Sequence, residues 1–211
     1  MRSNNVGMDL GELLTNEPRG AARATLILAH GAGGRMNSPF LNFIGEGLAE
    51  NGFRVVRFEF PYMRARRRVP DPPAVLMDAW RAVIEKLGGG PQVVVGGKSL
   101  GGRIASMIAD GSAARGLVCL GYPFHPPGKP QQLRTAHLEA LRTPALILQG
   151  ERDPFGTPEE VAGYKLSPSI RIEWMPDGDH SFKPRKQSGR TEKENLARTV
   201  TLVADFISKL A

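Results

Sequence analysis

The sequence predicts an α/β protein with a mostly parallel central sheet and helices on both of its faces. Apolar runs typical of strands alternate with segments of helical periodicity. Most of these runs lack polar–apolar alternation, as expected for strands that are covered on both faces. The 211 residues suit one domain, and we expect a single domain over residues 1–211. With 41% hydrophobic and 23% charged residues, the composition is that of a globular protein, which argues against disorder.

Six apolar runs are expected to form strands. They cover residues 24–29, 53–60, 92–95, 116–120, 145–149 and 170–175. A glycine or proline follows each run within two residues, as is common where a strand gives way to a turn. Ligands of such sheets bind at the carboxyl ends of the strands, so the residues just after each run are the candidates for function.

Helix-start signals separate these strands. Ser38 is the expected N-cap of the first helix, with Pro39 at its first position. A second helix follows residues 72–73, and a third opens directly after Ser99. The last begins at Thr191, which has capping-box spacing to an acidic residue. Residues 111–152 should hold two strands and a helix, which leaves no room for a lid domain.

A G-x-S-x-G motif at residues 97–101 lies between a strand and a helix. Such a turn holds the serine in a strained conformation, and small residues on either side let strand and helix approach. Gly97 and Gly101 meet that need, so Ser99 is the candidate nucleophile. The alternative is a phosphate-binding P-loop, but that motif needs a glycine where this chain has Gln92.

A serine nucleophile needs a base and an orienting acid. The chain has four histidines: His30, His125, His137 and His180. Only His180, directly after the last predicted strand, suits the order serine, acid, histidine. Asp153 follows the preceding strand and is the expected acid, with Glu151 as the alternative. Asp177 and Asp179 lie on the histidine's own loop and are interpreted as turn or capping residues.

Two backbone amides should stabilise the oxyanion. One is expected from Leu100, the residue after the nucleophile. The other should come from the H-G-A-G-G loop at residues 30–34, with Ala32 as the expected donor and Gly33 as the alternative. His30 is interpreted as a brace of this loop through side-chain hydrogen bonds.

These motifs together predict a minimal α/β-hydrolase fold without a lid domain. The matching stretches are LAHGAGG (28–34), FEFPY (58–62), RRRVPDPP (66–73), GGKSLGGR (96–103), GYPFHPPGKP (121–130), LQGERDPFG (148–156) and DGDHSF (177–182). With them the chain resembles the small α/β-hydrolase family that includes a testis-expressed hydrolase-like protein and the hydrolase-like region of NSL complex subunit 3. The resemblance implies this fold, the same triad positions and no particular substrate. Residues 122–130 are expected to shape a pocket rim.

The net charge is +7, and many of the basic residues concentrate in two short runs. One run holds Arg64, Arg66, Arg67 and Arg68, and the other holds Lys183, Arg185, Lys186 and Arg190. They form either solvated loops or surfaces that attract anionic substrates or partners. We find no nucleic-acid-binding motif, no metal-ligand spacing and no cofactor motif. The single cysteine, Cys119, is expected to be buried packing.

The sequence therefore predicts a serine hydrolase that acts on a small ester, thioester or related acyl compound. The alternative is a non-catalytic binding or scaffold protein that retains the fold. Lacking a lid, the site should take short, water-soluble substrates. If the first arginine run faces the site, it should favour anionic ones. No apolar stretch could span a membrane, no secretory signal is recognised, and one cysteine suits a reducing compartment, so a cytoplasmic location is expected.

Overall fold

The computed structural model describes residues 9–210, so the ends of the predicted 1–211 domain, residues 1–8 and 211, lie outside the described residues. The strands are β1 Leu14–Asn16, β2 Thr25–Ala29, β3 Arg54–Phe58, β4 Val93–Lys98, β5 Gly116–Leu120, β6 Ala145–Gly150 and β7 Ile170–Met175. The helices are α1 Pro39–Glu50, α2 Pro61–Arg64, α3 Pro73–Lys86, α4 Leu100–Ile108, α5 Pro158–Val161 and α6 Glu192–Ser208.

The seven strands form one sheet in the order β1-β3-β2-β4-β5-β6-β7. Every neighbouring pair is parallel except β1 and β3, which are antiparallel. The carboxyl ends of β2 to β7 consequently meet at one edge of the sheet. The loops that carry the predicted motifs follow these ends, which brings them within reach of each other.

Helices cover both faces of the sheet, as the sequence predicts. On one face, α3 and α4 pack their apolar side chains, including the buried Trp80 and Ile104, against the strands. On the other face, α1 and α6 do the same, with Ile44 and Val203 completely buried. Both predicted N-caps are present: Ser38 accepts from α1, and the Thr191 capping box starts α6.

Strand β1 was not predicted, because it has only three residues and two of them are polar. Tertiary contacts hold it in place. Its Asn16 Oδ1 accepts a hydrogen bond of 2.8 Å from the guanidinium of Arg57 on β3, a buried arginine that also donates to Asn42 and to the Met36 carbonyl. Two predicted strand boundaries shift by more than one residue: β3 ends at Phe58, and β4 continues to Lys98.

The helix expected within residues 111–152 is wrong, since the connection between β5 and β6 contains only a 3₁₀ turn at Ala136–Leu138. Four prolines lie in residues 121–130, and proline both removes a backbone donor and clashes with the preceding helical turn. Within the predicted rim, Tyr122, Phe124 and His125 are buried, and Pro123 is the residue of residues 122–130 that lines a cavity beside Ser99. The connection adds no lid domain.

None of the helices between residues 9 and 210 combines the length and apolar character needed to cross a bilayer.

Candidate active site

Ser99 occupies the sharp turn between β4 and α4. Its backbone has φ 50° and ψ −114°, a region that side-chain-bearing residues rarely adopt. The turn is held from both sides. The Ser99 amide donates to the Leu120 carbonyl at 3.0 Å, and the Arg103 amide donates to the Ser99 carbonyl at 2.9 Å. This is the geometry of a nucleophile elbow, in which surrounding structure sustains local strain.

The two glycines of the motif are required by close backbone approach. A Cβ atom on Gly97 would lie 2.4 Å from the Ala29 carbonyl oxygen, and one on Gly101 would lie 2.4 Å from the same atom. Both contacts are with backbone, which cannot move aside as the end of a side chain could. The motif is therefore set by the packing of α4 onto the ends of β2 and β4.

His180 and Asp153 are in direct contact. His180 Nδ1 lies 2.7 Å from Asp153 Oδ2, and the aspartate is completely buried. Gln149 donates to Asp153 Oδ2 at 2.9 Å, and the Phe155 amide donates to Oδ1 at 2.9 Å. These bonds fix the orientation of the carboxylate. Because Nδ1 is engaged, Nε2 is the histidine nitrogen left to face a substrate.

The other acids near His180 have different partners. Glu151 accepts a hydrogen bond of 2.7 Å from the Asp177 amide. Asp177 in turn forms an ion pair with Arg185. Asp179 accepts from the amides of residues 181 and 183, which makes it a turn-capping residue. Arg185 belongs to the second basic run, and its pairing with Asp177 accounts for part of that run's charge.

The loop after β2 is braced by His30. Its Nε2 accepts from the Phe60 amide at 3.1 Å, so Nδ1 carries the proton that is donated to the Gly31 carbonyl at 2.8 Å. Burial lowers the pKa of His30 and keeps the ring neutral, as this arrangement requires. Tyr62 donates to the Ala32 carbonyl at 2.9 Å. The predicted brace is confirmed.

Two cavities adjoin Ser99, and both are also lined by Ala32 and Phe155. We call the first, of about 380 Å³, the histidine-side cavity. It is lined by Gly31, Ala32, Gly33, Gly34, Ser38, Phe40, Leu41, Lys98, Ser99, Phe155, His180 and Ser181. The second, of about 290 Å³, is the arginine-side cavity. It is lined by Ala32, Pro70, Ser99, Leu100, Arg103, Pro123, Arg134 and Phe155. Of the predicted site residues, Ser99, His180, Ala32 and Leu100 thus surround one place, and Asp153 contacts His180 from behind.

Sequence reasoning did not single out Lys98, which immediately precedes Ser99. Its Nζ donates a hydrogen bond of 2.6 Å to the His180 carbonyl and lies 5.6 Å from the centre of the Phe40 ring. Burial lowers the pKa of Lys98 to about 8, against the attraction of Asp153 and Asp179. A lysine at the end of an otherwise apolar strand was the available signal. Sequence reasoning also missed Phe155, and no sequence signal pointed to it. Its ring centre lies 4.3 Å from that of His180.

The four arginines of the first basic run have different surroundings. Arg64 bonds to Asp9, and Arg67 pairs with Asp71 at 2.7 Å. Arg66, Arg67 and Arg68 nevertheless line a third cavity of about 480 Å³, which shares Ala32 and Gly33 with the site region. We call it the outer cavity. Three of the four arginines therefore lie beside the loop that follows β2.

Comparison with known proteins agrees with this geometry. A family model described as an alpha/beta hydrolase domain matches residues 22–208. Human ABHD14B, which is provisionally named a protein-lysine deacylase, is 30% identical over 169 residues, covering 76% of each chain. A serine hydrolase homologue from Coxiella burnetii superposes with a TM-score of 0.72 at 21% identity, covering 94% of this chain and 91% of its own.

A serine hydrolase without a lid from Xanthomonas campestris also superposes with a TM-score of 0.72, at 20% identity over 93% of this chain and 88% of its own. At such identities the solved structures establish the fold alone. The match of the family model over most of the sequence goes further: the chain belongs to the family of alpha/beta hydrolase domains.

Proposed function

We propose that this protein is a serine hydrolase of small ester, thioester or related acyl compounds, with Ser99 as nucleophile, His180 as base and Asp153 as orienting acid. The observation that carries the proposal is the 2.7 Å contact between His180 and the buried Asp153, at a cavity that Ser99 also lines. The alternative acids are engaged elsewhere, and the strained backbone of Ser99 is typical of a nucleophile elbow.

In the first half of the reaction, Ser99 Oγ attacks the carbonyl carbon of the substrate and gives its proton to His180 Nε2. Negative charge develops on the carbonyl oxygen, where the amides of Ala32 and Leu100 donate hydrogen bonds. The C–O or C–S bond to the leaving group then breaks, and His180 returns the proton to the leaving atom. The product is an ester between the acyl group and Ser99.

In the second half, a water molecule gives a proton to His180 Nε2 and attacks the acyl carbon. The bond to Ser99 Oγ breaks, the proton returns to Ser99, and a free acid leaves. Asp153 stabilises the imidazolium at both stages by accepting from Nδ1. Its burial in a set of hydrogen bonds keeps that acceptor in place.

The substrate is proposed to be short, because the cavities beside Ser99 are at the small end of the range of about 300–1,000 Å³ for ligand pockets.

Two further assignments belong to this proposal. The first is membership of the branch with the testis-expressed hydrolase-like protein and NSL complex subunit 3, which rests on motifs such as GGKSLGGR at 96–103. The second is a cytoplasmic location, supported by a single, buried cysteine. Fractionation of cells expressing a tagged chain tests that location.

Labelling with a fluorophosphonate probe tests the catalytic role of Ser99. The wild-type protein should label stoichiometrically, and Ser99→Ala should abolish labelling while the protein stays folded, because only the hydroxyl is lost. Ser181→Ala is the matched control, since Ser181 lines the same cavity and should be dispensable. Labelling that survives in Ser99→Ala would assign the nucleophile elsewhere.

A wild-type protein that folds but does not label would favour the scaffold alternative. A substrate panel should then follow the label: short esters, thioesters and an acyl-lysine peptide, the last because ABHD14B is similar to this chain and carries a deacylase name.

A further inference from the structure

Two arginines line the arginine-side cavity together with Ser99. Arg103 lies in the first turns of α4, and Arg134 belongs to the connection between β5 and β6. Leu100, the proposed oxyanion donor, lines the same cavity. Two positive charges are therefore held directly beside the proposed nucleophile, on segments that are 31 residues apart in sequence.

Neither guanidinium has an acidic partner within residues 9–210. No carboxylate lies within 4.0 Å of them, and neither side chain donates a hydrogen bond to the described residues. The Nε of Arg103 is buried and without a hydrogen-bond partner. The Nε of Arg57 is likewise buried and unpartnered, but the two Nη atoms of Arg57 have three acceptors, whereas neither Nη of Arg103 nor of Arg134 has one among the described residues.

The positive field between the two side chains is uncompensated. Burial lowers the pKa of Arg134, and the charge of Arg103 lowers it further. Burial lowers the pKa of His137, whose Nε2 lies 2.8 Å from Ser106 Oγ, and the charge of Arg103 lowers it further. A buried donor without an acceptor is costly in free energy. Several such atoms occur among the described residues, but the one on Arg103 belongs to a side chain that lines a cavity, where a ligand can supply the acceptor.

The required ligand is an anion. A guanidinium presents a planar fork of donors that matches a carboxylate in a bidentate arrangement. The arginine-side cavity, at about 290 Å³, has room for a short chain between that carboxylate and the reacting carbonyl.

The arrangement of the two cavities decides which end of the substrate carries the charge. His180 must protonate the leaving group, and it lines the histidine-side cavity but not the arginine-side cavity. The leaving group therefore lies on the histidine side. Ser99 and Ala32 line both cavities, so the carbonyl lies at their junction and the acyl chain extends towards Arg103 and Arg134.

We propose that Arg103 and Arg134 form a carboxylate-binding subsite for the acyl group, which makes the preferred substrates monoesters or monothioesters of short dicarboxylic acids. This inference rests on the proposed hydrolase function. This subsite is distinct from the arginines of the outer cavity. Arg66 and Arg68 line that cavity and would attract an anionic substrate as it approaches the site.

The kinetic test compares two esters that differ only in charge: p-nitrophenyl hydrogen adipate and methyl p-nitrophenyl adipate. The readout is the ratio of kcat/KM for the acid to that for the neutral ester, after subtraction of the rate with Ser99→Ala. The wild-type ratio should exceed about 10, and Arg103→Gln or Arg134→Gln should lower it about 10-fold, the size expected for loss of a charged hydrogen bond.

Arg81→Gln is the matched control, because Arg81 is an exposed arginine on α3 paired with Asp78. It should leave the ratio unchanged. The double variant Arg66→Gln/Arg68→Gln tests the competing site. A ratio that falls in that double variant but not in Arg103→Gln or Arg134→Gln would overturn the proposal, as would a wild-type ratio near 1.

Binding measured without turnover separates this proposal from the proposed function. Calorimetry should show that Ser99→Ala binds monomethyl adipate more tightly than dimethyl adipate. Adding Arg103→Gln to this variant should remove the difference in affinity. Charge-dependent binding by Ser99→Ala, together with a wild-type protein that hydrolyses neither p-nitrophenyl ester, would retain the subsite and refute the hydrolase. Hydrolysis with charge-independent binding and kinetics would retain the hydrolase and refute the subsite.

Discussion

Replacing Lys98 with methionine should make the stability difference between wild type and variant depend on pH. Burial lowers the pKa of Lys98 from 10.5 to about 8, so below pH 8 the folded protein bears the cost of a buried charge. One pKa unit corresponds to about 1.4 kcal/mol, which sets that cost at about 3 kcal/mol. This is an upper value, because Lys98 also lines the histidine-side cavity, where water reaches it.

The sign follows from proton binding. Between pH 8 and 10.5 the unfolded chain holds the Lys98 proton and the folded protein has lost it, so stability rises with pH across this window. The free energy of unfolding of wild type, relative to Lys98→Met, should therefore increase by about 2 to 3 kcal/mol between pH 7 and pH 10. The carboxylates that attract the ammonium are those of Asp153 and Asp179.

Urea unfolding followed by tryptophan fluorescence at a series of pH values measures this difference. Trp80 is fully buried and supplies the signal. Lys165→Met is the control, because Lys165 is exposed and its removal should give no trend over the window. A difference for Lys98→Met that stays flat from pH 7 to pH 10 would refute the buried ammonium and, with it, the described contact to the His180 carbonyl.

Two further pairs of variants test the site. Asp153→Asn should lower kcat by about 10⁴-fold, as in the triad of serine proteases, because the amide stabilises the wrong histidine tautomer. Glu151→Gln should lower kcat far less. The reverse order of the two effects in steady-state kinetics would assign Glu151 as the acid. Ser99→Gly should be about 1 kcal/mol more stable than Ser99→Ala in urea unfolding. Both variants lack the hydroxyl, but only glycine adopts φ 50° and ψ −114° without strain. Equal stabilities would contradict backbone strain at Ser99.

The alternation of apolar runs and helix-start signals was sufficient to predict the α/β class, a mostly parallel sheet and helices on both faces. These features follow from local patterns, since a strand covered on both faces is apolar throughout and a helix needs an N-cap. The glycines around Ser99 were informative for the same reason, because a sharp turn restricts the residue types beside it. The triad and the oxyanion donors stay predictions, although the described geometry brings their residues together.

Features that depend on contacts between distant segments were decided by the tertiary structure alone. Strand β1 pairs with β3 through three residues that carry no strand pattern. The expected helix in the β5–β6 connection is replaced by a proline-rich path. Arg64, grouped by sequence with three neighbouring arginines, instead bonds to Asp9, 55 residues away.

The arginine-side cavity is the clearest example of a feature that the sequence alone could not predict. Arg103 occurs in the nucleophile motif and Arg134 in an irregular loop, and the sequence offers no sign that they share a cavity. Likewise, Lys98 meets the His180 carbonyl across 82 residues of sequence. Sequence patterns record the backbone's local preferences, whereas the burial of a charge and the absence of its partner are properties of the packed chain.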